Sequence, residues 1–311
     1  MTTVSEPLIE IRGLHKYFGD VHAVEGIDLS VSAGQVCGVL GPNGAGKTTT
    51  IRTLLGYLSP TDGTATVLGG AARLPSIRRR TGYLPGDLHL EPRTHVRSLL
   101  HWFAELRGGV AQDRIGDLCD RFHLDPDRRF GELSKGNRQK VGVVQAFMHD
   151  PDVLVLDEPT SGLDPLMQRE VVDLVRERRQ AGSAVLFSSH IISEVEEVAD
   201  RVAILRGGRL VLEDSIAGLH EVTARQSMHV RFASPVTAAD FDGVDLVRLV
   251  IHDDTADVVV TSPIGPLLQR LAELDALHLS TDPLVLDDVF YGAFEEQDGA
   301  DPGSDRGDVA R

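Results

Sequence analysis

Short apolar runs, each bounded by glycine or polar residues, are the main pattern in the first two thirds of the chain. Residues 8–40 predict strands, because Leu8–Arg12 alternates between apolar and polar positions and Val36–Leu40 is an apolar run that leads into a glycine. Three later runs have the composition of buried strands: Val153–Leu156, Ala184–Phe187 and Val202–Leu205. Since helical patterns follow the first two, this order predicts a parallel sheet with helical crossovers.

Helical and strand patterns also fill the segments between these runs. Lys47–Leu58 predicts a helix, and residues 62–70 predict a strand bounded by turns. Residues 94–150 are mostly helical in pattern, with breaks at 108–109 and 125–126. The first helix of that region has a predicted apolar stripe of five residues: Leu99, Leu100, Trp102, Phe103 and Leu106.

The C-terminal third has a different pattern. Alternating positions over 228–262 predict strands, as in Met228–Phe232 and Asp257–Thr261. Gly265–Leu274 predicts a short helix, and Ala276–Ser280 predicts a further strand. Together they indicate a small α+β domain.

Charge is distributed unevenly along the chain. Residues 221–311 carry 18 acidic and 6 basic residues, a net charge of −12, whereas residues 1–220 carry a net charge of −4. The last 17 residues are rich in Asp, Gly and Pro. We therefore expect a first domain over 1–220, an accessory α+β domain over 221–294 and a disordered acidic tail over 295–311.

Composition excludes several classes of function. The total net charge of −16 is shared by both parts of the chain, so nucleic acid is not an expected partner. The longest apolar runs have about four residues, whereas a transmembrane helix needs roughly 20. The first ten residues hold two glutamates and no basic residue, so no signal peptide is expected, and two cysteines are too few for a disulfide scaffold.

A glycine-rich segment lies between the predicted strand Val36–Leu40 and the predicted helix after it. It matches G-x-x-x-x-G-K-[ST] and reads Gly41, Pro42, Asn43, Gly44, Ala45, Gly46, Lys47, Thr48, Thr49. Such a loop directs several backbone N–H groups and the positive end of a helix at one phosphate. Lys47 is then expected to reach the β- and γ-phosphates, and the Thr48 hydroxyl to bind Mg²⁺. A chance glycine turn is the alternative, which the flanking strand and helix disfavour.

The apolar run Val153–Leu156 ends in two carboxylates, Asp157 and Glu158. At the carboxyl end of a parallel strand both would face a nucleotide crevice. Asp157 is expected to hold Mg²⁺ through water, and Glu158 to act as general base on the attacking water. A solvated strand end is the alternative explanation, and the phosphate loop favours the functional one.

Three further motifs and one aromatic residue carry a resemblance to a known family. Residues 133–137 read Leu-Ser-Lys-Gly-Asn, which is similar to the LSGGQ signature of the ATP-binding cassette (ABC) ATPases. Residues 161–165 resemble the D-loop of that family, Ser189-His190 resembles its H-loop, and Tyr17 stands where its adenine-stacking aromatic stands. The order and spacing match over residues 8–213. The resemblance implies an α/β fold: a P-loop NTPase core with a mainly parallel sheet, an antiparallel β subdomain and a helical subdomain.

The resemblance also implies roles for these residues in a head-to-tail dimer that binds ATP between its two copies. Ser134 and Gly136 would contact the ATP of the second copy, and Asp164 would reach across the dimer. His190 would touch the γ-phosphate, and Tyr17 would stack on adenine. Simpler alternatives stay open for each: a helix cap at Ser134, a core histidine at position 190, plain packing of Tyr17 and a turn residue at Asp164.

The sequence departs from the family pattern in two places. Lys135 and Asn137 replace the usual glycine and glutamine of the signature. Gly86 stands where the family usually has a glutamine that touches Mg²⁺ and the attacking water and links to the membrane partner. Asp87 is a candidate replacement for that glutamine.

Features of the chain exclude some branches of the family and favour another. Only 87 residues separate Lys47 from Ser134, too few for the coiled-coil insert of chromosome-structure members, and no basic linker joins a second ATPase unit as in translation factors. The accessory domain and Asp287-Asp288-Val289-Phe290 resemble the drug- and antibiotic-export branch. This implies a peripheral protein on the cytoplasmic face of the cell membrane, bound to a separate integral membrane permease. An importer ATPase and a regulatory ABC ATPase that moves no substrate are the alternatives.

Overall fold

The chain divides into two compact units between Asp214 and Ser215. The computed structural model describes residues 6–109, 112–218, 225–246, 248–261 and 264–283. The expected tail over 295–311 and the motif at 287–290 lie outside the described residues.

The described part of the first unit contains nine strands and seven α-helices. In chain order they are β1 (Ile9–Phe18), β2 (Val21–Val31), β3 (Val36–Leu40), α1 (Lys47–Leu54), β4 (Asp62–Val67), α2 (Pro75–Arg78), β5 (Thr81–Leu84), α3 (Val96–Leu106), α4 (Gln112–Arg121), α5 (Lys135–Phe147), β6 (Val153–Asp157), α6 (Pro165–Gln180), β7 (Ala184–Ser189), α7 (Ile192–Val198), β8 (Arg201–Arg206) and β9 (Arg209–Ser215).

A six-stranded sheet with the order β5-β6-β7-β3-β8-β9 is the centre of the first unit. The pairs β5/β6, β6/β7, β7/β3 and β3/β8 are all parallel, as the alternation of apolar runs and helices predicts. The strands β6, β7 and β3 are therefore neighbours that end at the same edge. Loops that leave this edge are brought together although they are far apart in sequence.

A three-stranded antiparallel sheet with the order β2-β1-β4 packs on one side of this arrangement. Ile9, Ile11 and Leu14 of β1 are buried in the same core as Val39 and Ile51. The P-loop NTPase core with an antiparallel β subdomain is thus confirmed.

The helical region over 94–150 is interrupted where its pattern predicts. It consists of α3, α4 and α5, separated by the two predicted breaks. The predicted stripe of α3 is partly wrong: Trp102 and Leu106 are 53% and 55% exposed, whereas the buried positions include Val96 and Ala104. Positions 96, 99, 100 and 104 share one face at 100° per residue, and 102 and 106 fall outside it. The helix α1 also ends earlier than predicted, at Leu54, before the positive-φ Gly56.

The second unit contains β10 (Arg225–Phe232), β11 (Arg248–His252), β12 (Thr255–Thr261), α8 (Gly265–Glu273) and β13 (Ala276–Pro283). The strands form an antiparallel sheet with the order β11-β12-β10-β13. Met228 and Val230 on β10 pair with Val258 and Ala256 on β12, and this face is buried under α8 through Leu267. In the parts of both units that the structure describes, no helix combines the length and apolar character that crossing a bilayer requires.

Candidate nucleotide-binding and hydrolysis site

The glycine-rich loop leaves the carboxyl end of β3 and leads directly into α1. Gly44 and Gly46 have φ angles of +84° and +102°, in the left-handed region that favours glycine. A Cβ on Gly46 would lie 2.7 Å from Ala23 O, and one on Gly41 would overlap Leu205 O. The tight path of this loop therefore requires glycine at these positions.

The loop borders a cleft of about 150 Å³ at the carboxyl edge of the sheet. Ten residues line it: Ala23, Pro42, Asn43, Gly44, Ala45, Gly46, Lys47, Thr48, Thr49 and Glu158. Nine of these belong to the predicted site, and Ala23 is the exception. Glu158 is among the nine and reaches the cleft from the end of β6, whereas residues 42–49 follow β3.

Lys47 is buried at the start of α1. Its Nζ donates to Gly41 O at 2.5 Å and to Pro42 O at 3.2 Å, and it lies 3.7 Å from Glu158 Oε1. Burial lowers the pKa of Lys47, whereas the carboxylates of Glu158 and Asp157 act to raise it. The ammonium is thus held at the cleft by loop carbonyls and balanced by two acids.

Asp157 ends β6 and is almost fully buried. Its Oδ2 accepts a hydrogen bond from Thr48 Oγ1 at 3.0 Å, and its Oδ1 accepts one from Ser188 Oγ at 2.6 Å. The solvated strand end that the sequence left open is therefore wrong for Asp157. Two oxygen-bearing side chains from α1 and β6 meet here, which is the donor chemistry that Mg²⁺ prefers.

Glu158 follows Asp157 and directs its side chain into the cleft. Its Oε1 lies 3.3 Å from His190 Nδ1, so the end of β7 approaches the same carboxylate as Lys47 does. The backbone of Glu158 has a φ of +48°, which costs a non-glycine residue about 1 kcal/mol or more. His190 is 48% exposed, so the alternative of a core histidine is wrong.

Tyr17 lies near the end of β1 and is half-buried. Its ring stacks on His22 with a centroid distance of 4.1 Å and an interplanar angle of 20°. Its hydroxyl is 2.8 Å from His15 Nδ1. His22 directly precedes Ala23, which lines the cleft beside residues 42–49, so the aromatic pair is joined to the edge of the cleft. One face of the Tyr17 ring is covered by this stacking.

The signature and D-loop residues lie together but do not line the phosphate cleft of their own chain. Ser134 is the N-cap of α5, and its Oγ accepts from Asn137 N at 3.3 Å. A Cβ on Gly136 would lie 2.6 Å from Gly162 O, so this helix packs closely on the D-loop. Asp164 is exposed and caps α6. The helix-cap alternative for Ser134 is therefore correct as far as the single chain is concerned.

Gly86, where the family usually has glutamine, lies beside Asp157. A Cβ placed on Gly86 would be 3.5 Å from Asp157 O and 3.6 Å from Asp157 Oδ2. The Asp87 side chain is 81% exposed, and its Oδ2 lies 3.5 Å from His89 Nε2. The structure thus places the glycine beside Asp157 and directs the Asp87 carboxylate to solvent.

Two contributors to the site were missed by the sequence analysis. Ser188, on β7, bonds Asp157 and also accepts from the backbone N–H of Glu158 through its Oγ at 3.2 Å. Gln139, on α5, donates to Glu158 O at 3.2 Å. Their proximity to His190 and to the signature was the available signal, but sequence alone does not show where their side chains point.

Comparison with known proteins agrees with this geometry. A family model described as ABC transporter matches residues 24–161, a span that includes the glycine-rich loop, the signature and both carboxylates. The daunorubicin/doxorubicin resistance ATP-binding protein DrrA of Streptomyces peucetius is 33% identical over 307 residues, 93% of each chain. The Nod factor export ATP-binding protein I of Burkholderia lata is 34% identical over 290 residues, 91% of this chain and 95% of the relative.

A solved structure described as the ATP-binding subunit of an ABC transporter is 28% identical, with a TM-score of 0.64 over 68% of this chain and 92% of that one. The match to the two curated relatives extends over nearly the full length of all three chains. The order of the motifs, the converging site and these similarities show that the chain belongs to the ATP-binding proteins of ABC transporters.

Proposed function

We propose that this chain is the ATP-hydrolysing subunit of an exporter, and that it powers the movement of a drug, antibiotic or similar compound through a separate integral membrane permease. ATP hydrolysis is the general activity of the family. The observation that carries the proposal is that Lys47 and Glu158 line one cleft, where Asp157 bonds Thr48 and His190 lies 3.3 Å from Glu158. Two relatives named for drug resistance or for export support the direction of transport.

ATP would place its phosphates on the loop of residues 41–49, with its adenine near Tyr17. Thr48 Oγ1 and Asp157 Oδ2 are 3.0 Å apart, and this pair of oxygen donors fits Mg²⁺. Among the described residues, no group of three or more His, Cys, Asp or Glu side chains is arranged to hold a metal ion, so phosphate and water would supply the remaining ligands. When bound, Mg²⁺ would neutralise charge on the phosphates.

Glu158 is the proposed general base. Its carboxylate lies between Lys47 and His190, with Oε1 at 3.7 Å and 3.3 Å from their nitrogens. It can accept a proton from a water that attacks the γ-phosphorus as the bond to the bridging oxygen of ADP breaks, while His190 contacts the transferred phosphoryl group. Lys47 stabilises negative charge on the phosphates.

A second copy of the chain would complete each site. Ser134 and Gly136 open a helix, a suitable place for a phosphate, but they do not line the cleft of their own chain. A head-to-tail dimer would bring them to the partner's ATP, with Asp164 close to the dimer contact. ATP then favours the closed dimer because it binds that state more tightly.

A groove of about 400 Å³ in the first unit is the proposed docking place of the permease. Its lining includes aromatic and basic side chains: Tyr57, Arg73, Arg78, Arg79, Tyr83, Phe103 and Arg107. None of the described residues that line it is acidic. A short permease segment that carries carboxylates and an apolar side would match this groove in charge and shape.

This assembly would hold the chain on the cytoplasmic face of the cell membrane as a peripheral protein. The test is to isolate the tagged full-length chain from detergent-solubilised membranes and to identify its partner. Transport is then measured in inverted vesicles with the protein pair and a fluorescent anthracycline. Exporter activity predicts ATP-dependent accumulation inside, lost in Lys47→Met. ATP-dependent loss from preloaded vesicles would favour an importer, and absence of any membrane partner would favour a regulatory ATPase.

A further inference from the structure

Gln139 is a buried polar residue two positions after the signature residues 133–137. It lies on α5, five residues after the N-cap Ser134, and is only 5% exposed. Its Nε2 donates to two consecutive carbonyls, Glu158 O at 3.2 Å and Pro159 O at 3.1 Å. Carbonyl oxygens only accept hydrogen bonds, so the amide nitrogen must face them. Both N–H groups of this buried side chain therefore donate to the backbone at the proposed base.

The backbone held by Gln139 is unusual. Glu158 adopts a φ of +48°, which a non-glycine residue keeps only where surrounding contacts define it. On one side, Glu158 N donates to Ser188 O at 3.1 Å, and Ser188 belongs to β7. On the other side, Glu158 O accepts from Ser161 N at 3.1 Å and from Gln139. Among the described contacts, Gln139 supplies the tether from α5.

The same helix carries the signature at its first turn. Ser134 caps it, and Gly136 packs against Gly162 O so closely that a Cβ would not fit. If the second copy's ATP binds at this end of α5, any small shift of the helix is passed through Gln139 to the Glu158–Pro159 backbone. A helix moves as a rigid element over such a short distance, one to two turns.

We propose that Gln139 is a positioning residue: it ties the direction of the Glu158 carboxylate to the signature helix α5. The inference rests on the proposed function, in which Glu158 is the base and Ser134 and Gly136 meet the ATP of a second copy. The signature would then set the activity of the base in its own chain, so that ATP bound at one site influences hydrolysis at the other. The link through Gln139 is more important in this chain because Gly86 replaces the glutamine whose side chain, in the family, touches Mg²⁺ and the attacking water.

The test replaces Gln139 by Met, which keeps the length of the side chain and removes the donor. In the full-length protein we expect kcat to fall about tenfold or more, because a misplaced catalytic group is that costly. Affinity for a non-hydrolysable ATP analogue should change less than about twofold, since Gln139 does not line the cleft. Gln145→Met is the reference, because Gln145 is an equally buried amide on α5 that donates to Tyr83 O instead.

Two further measurements separate positioning from a general loss of stability. Hydrogen exchange of the peptide over 156–163 should be faster in Gln139→Met than in Gln145→Met. In a Glu158→Gln background, Gln139→Met should lower the residual rate by less than about twofold, because it acts through the side chain already removed. Equal losses of kcat in the two glutamine variants, unchanged exchange, or multiplied losses in the Glu158→Gln background would each overturn the proposal. If the wild type hydrolyses no ATP, the proposed function fails, and exchange alone decides whether Gln139 holds the base.

Discussion

The cleft and the groove each contain a basic side chain that is shielded from water, and the two side chains have different neighbours. Lys47 in the cleft is buried, and Arg107 in the groove is half-buried. Lys47 has two acids near it, with Glu158 Oε1 at 3.7 Å. Arg107 donates to Gln145 O at 2.6 Å and is 2.9 Å from His149 Nδ1, both uncharged groups. Burial lowers the pKa of Arg107 to about 10.

The difference indicates where the negative charge that neutralises each cation comes from. In the proposed function, the acids already present in the cleft would organise a metal and a water, and the incoming ligand would be the phosphate chain of ATP. The groove holds a guanidinium with neutral neighbours, so an acid that arrives from a partner would gain a charge-assisted bond in a partly dry place. We propose that one region serves chemistry and the other docking, and variants at either cation can separate the two roles.

Glu158→Gln should have the largest effect. Removal of the proposed base is expected to lower ATP turnover about a thousandfold while ATP binding persists, because glutamine keeps the shape and cannot take a proton. With hydrolysis blocked, ATP should trap a dimer that size-exclusion chromatography detects. A variant with more than half of the wild-type rate would show that another group activates the water.

Lys47→Met should come next. It removes the cation proposed to stabilise phosphate charge, so turnover is expected to fall about a hundredfold or more. Binding of the membrane partner should persist, since Lys47 does not line the groove. Lys140→Met, another lysine of the same unit, is the control, and both are measured by ATPase assay and by co-purification of the permease.

Arg107→Met reverses the pattern. Recovery of the permease from solubilised membranes should fall about tenfold or more, because the acid that Arg107 meets would be left unpaired. ATP affinity of the chain alone should be unaffected. Arg97→Met on α3, whose guanidinium faces Asp127 rather than the groove, is the matched control. Equal loss in both arginine variants would assign the effect to α3 as a whole.

The pH dependence of stability sharpens the same contrast. Burial, with Arg107 adding to it, lowers the pKa of His149 from 6.5 to about 3. Between these values the unfolded chain binds more protons than the folded one, so stability must fall as pH falls below about 6.5. We expect the free energy of unfolding to drop by about 1 to 2 kcal/mol more in the wild type than in His149→Asn between pH 6.5 and pH 5. Urea unfolding at the two pH values measures this, and equal drops would show that His149 titrates normally.

Asp87→Asn should have the smallest effect. Its carboxylate is exposed and faces His89, so ATP turnover is expected to stay within about twofold of the wild type. A tenfold loss of turnover would instead show that Asp87 reaches the metal or the water in the closed dimer and replaces the family's glutamine.

The fold was largely predictable because its strands are short and strongly apolar. The runs at Val153–Leu156 and Ala184–Phe187 became β6 and β7 with little change. The helical region was less predictable, since the stripe of α3 was assigned from apolar residues alone. Trp102 and Leu106 are apolar but exposed, and only packing decides which face of a helix turns inward.

The candidate catalytic residues were predictable for a similar reason. The glycine-rich loop and the pair Asp157-Glu158 are local motifs, and their chemistry depends on spacing within one segment. Ser188 and Gln139 could not be assigned, because their contacts cross from β7 and α5 to residues 30 and 19 positions away.

By itself, the sequence determined the family, the phosphate loop, the two carboxylates and the place where the family's glutamine is missing. Each of these depends on a short run of residues, because the backbone conformation and the chemistry that it requires are set within that segment. Only the tertiary structure decided that Gly86 lies against Asp157, that Asp87 turns to solvent and that Gln139 holds the backbone of Glu158. These depend on which strand edges and helix faces meet, and packing of the whole unit settles that.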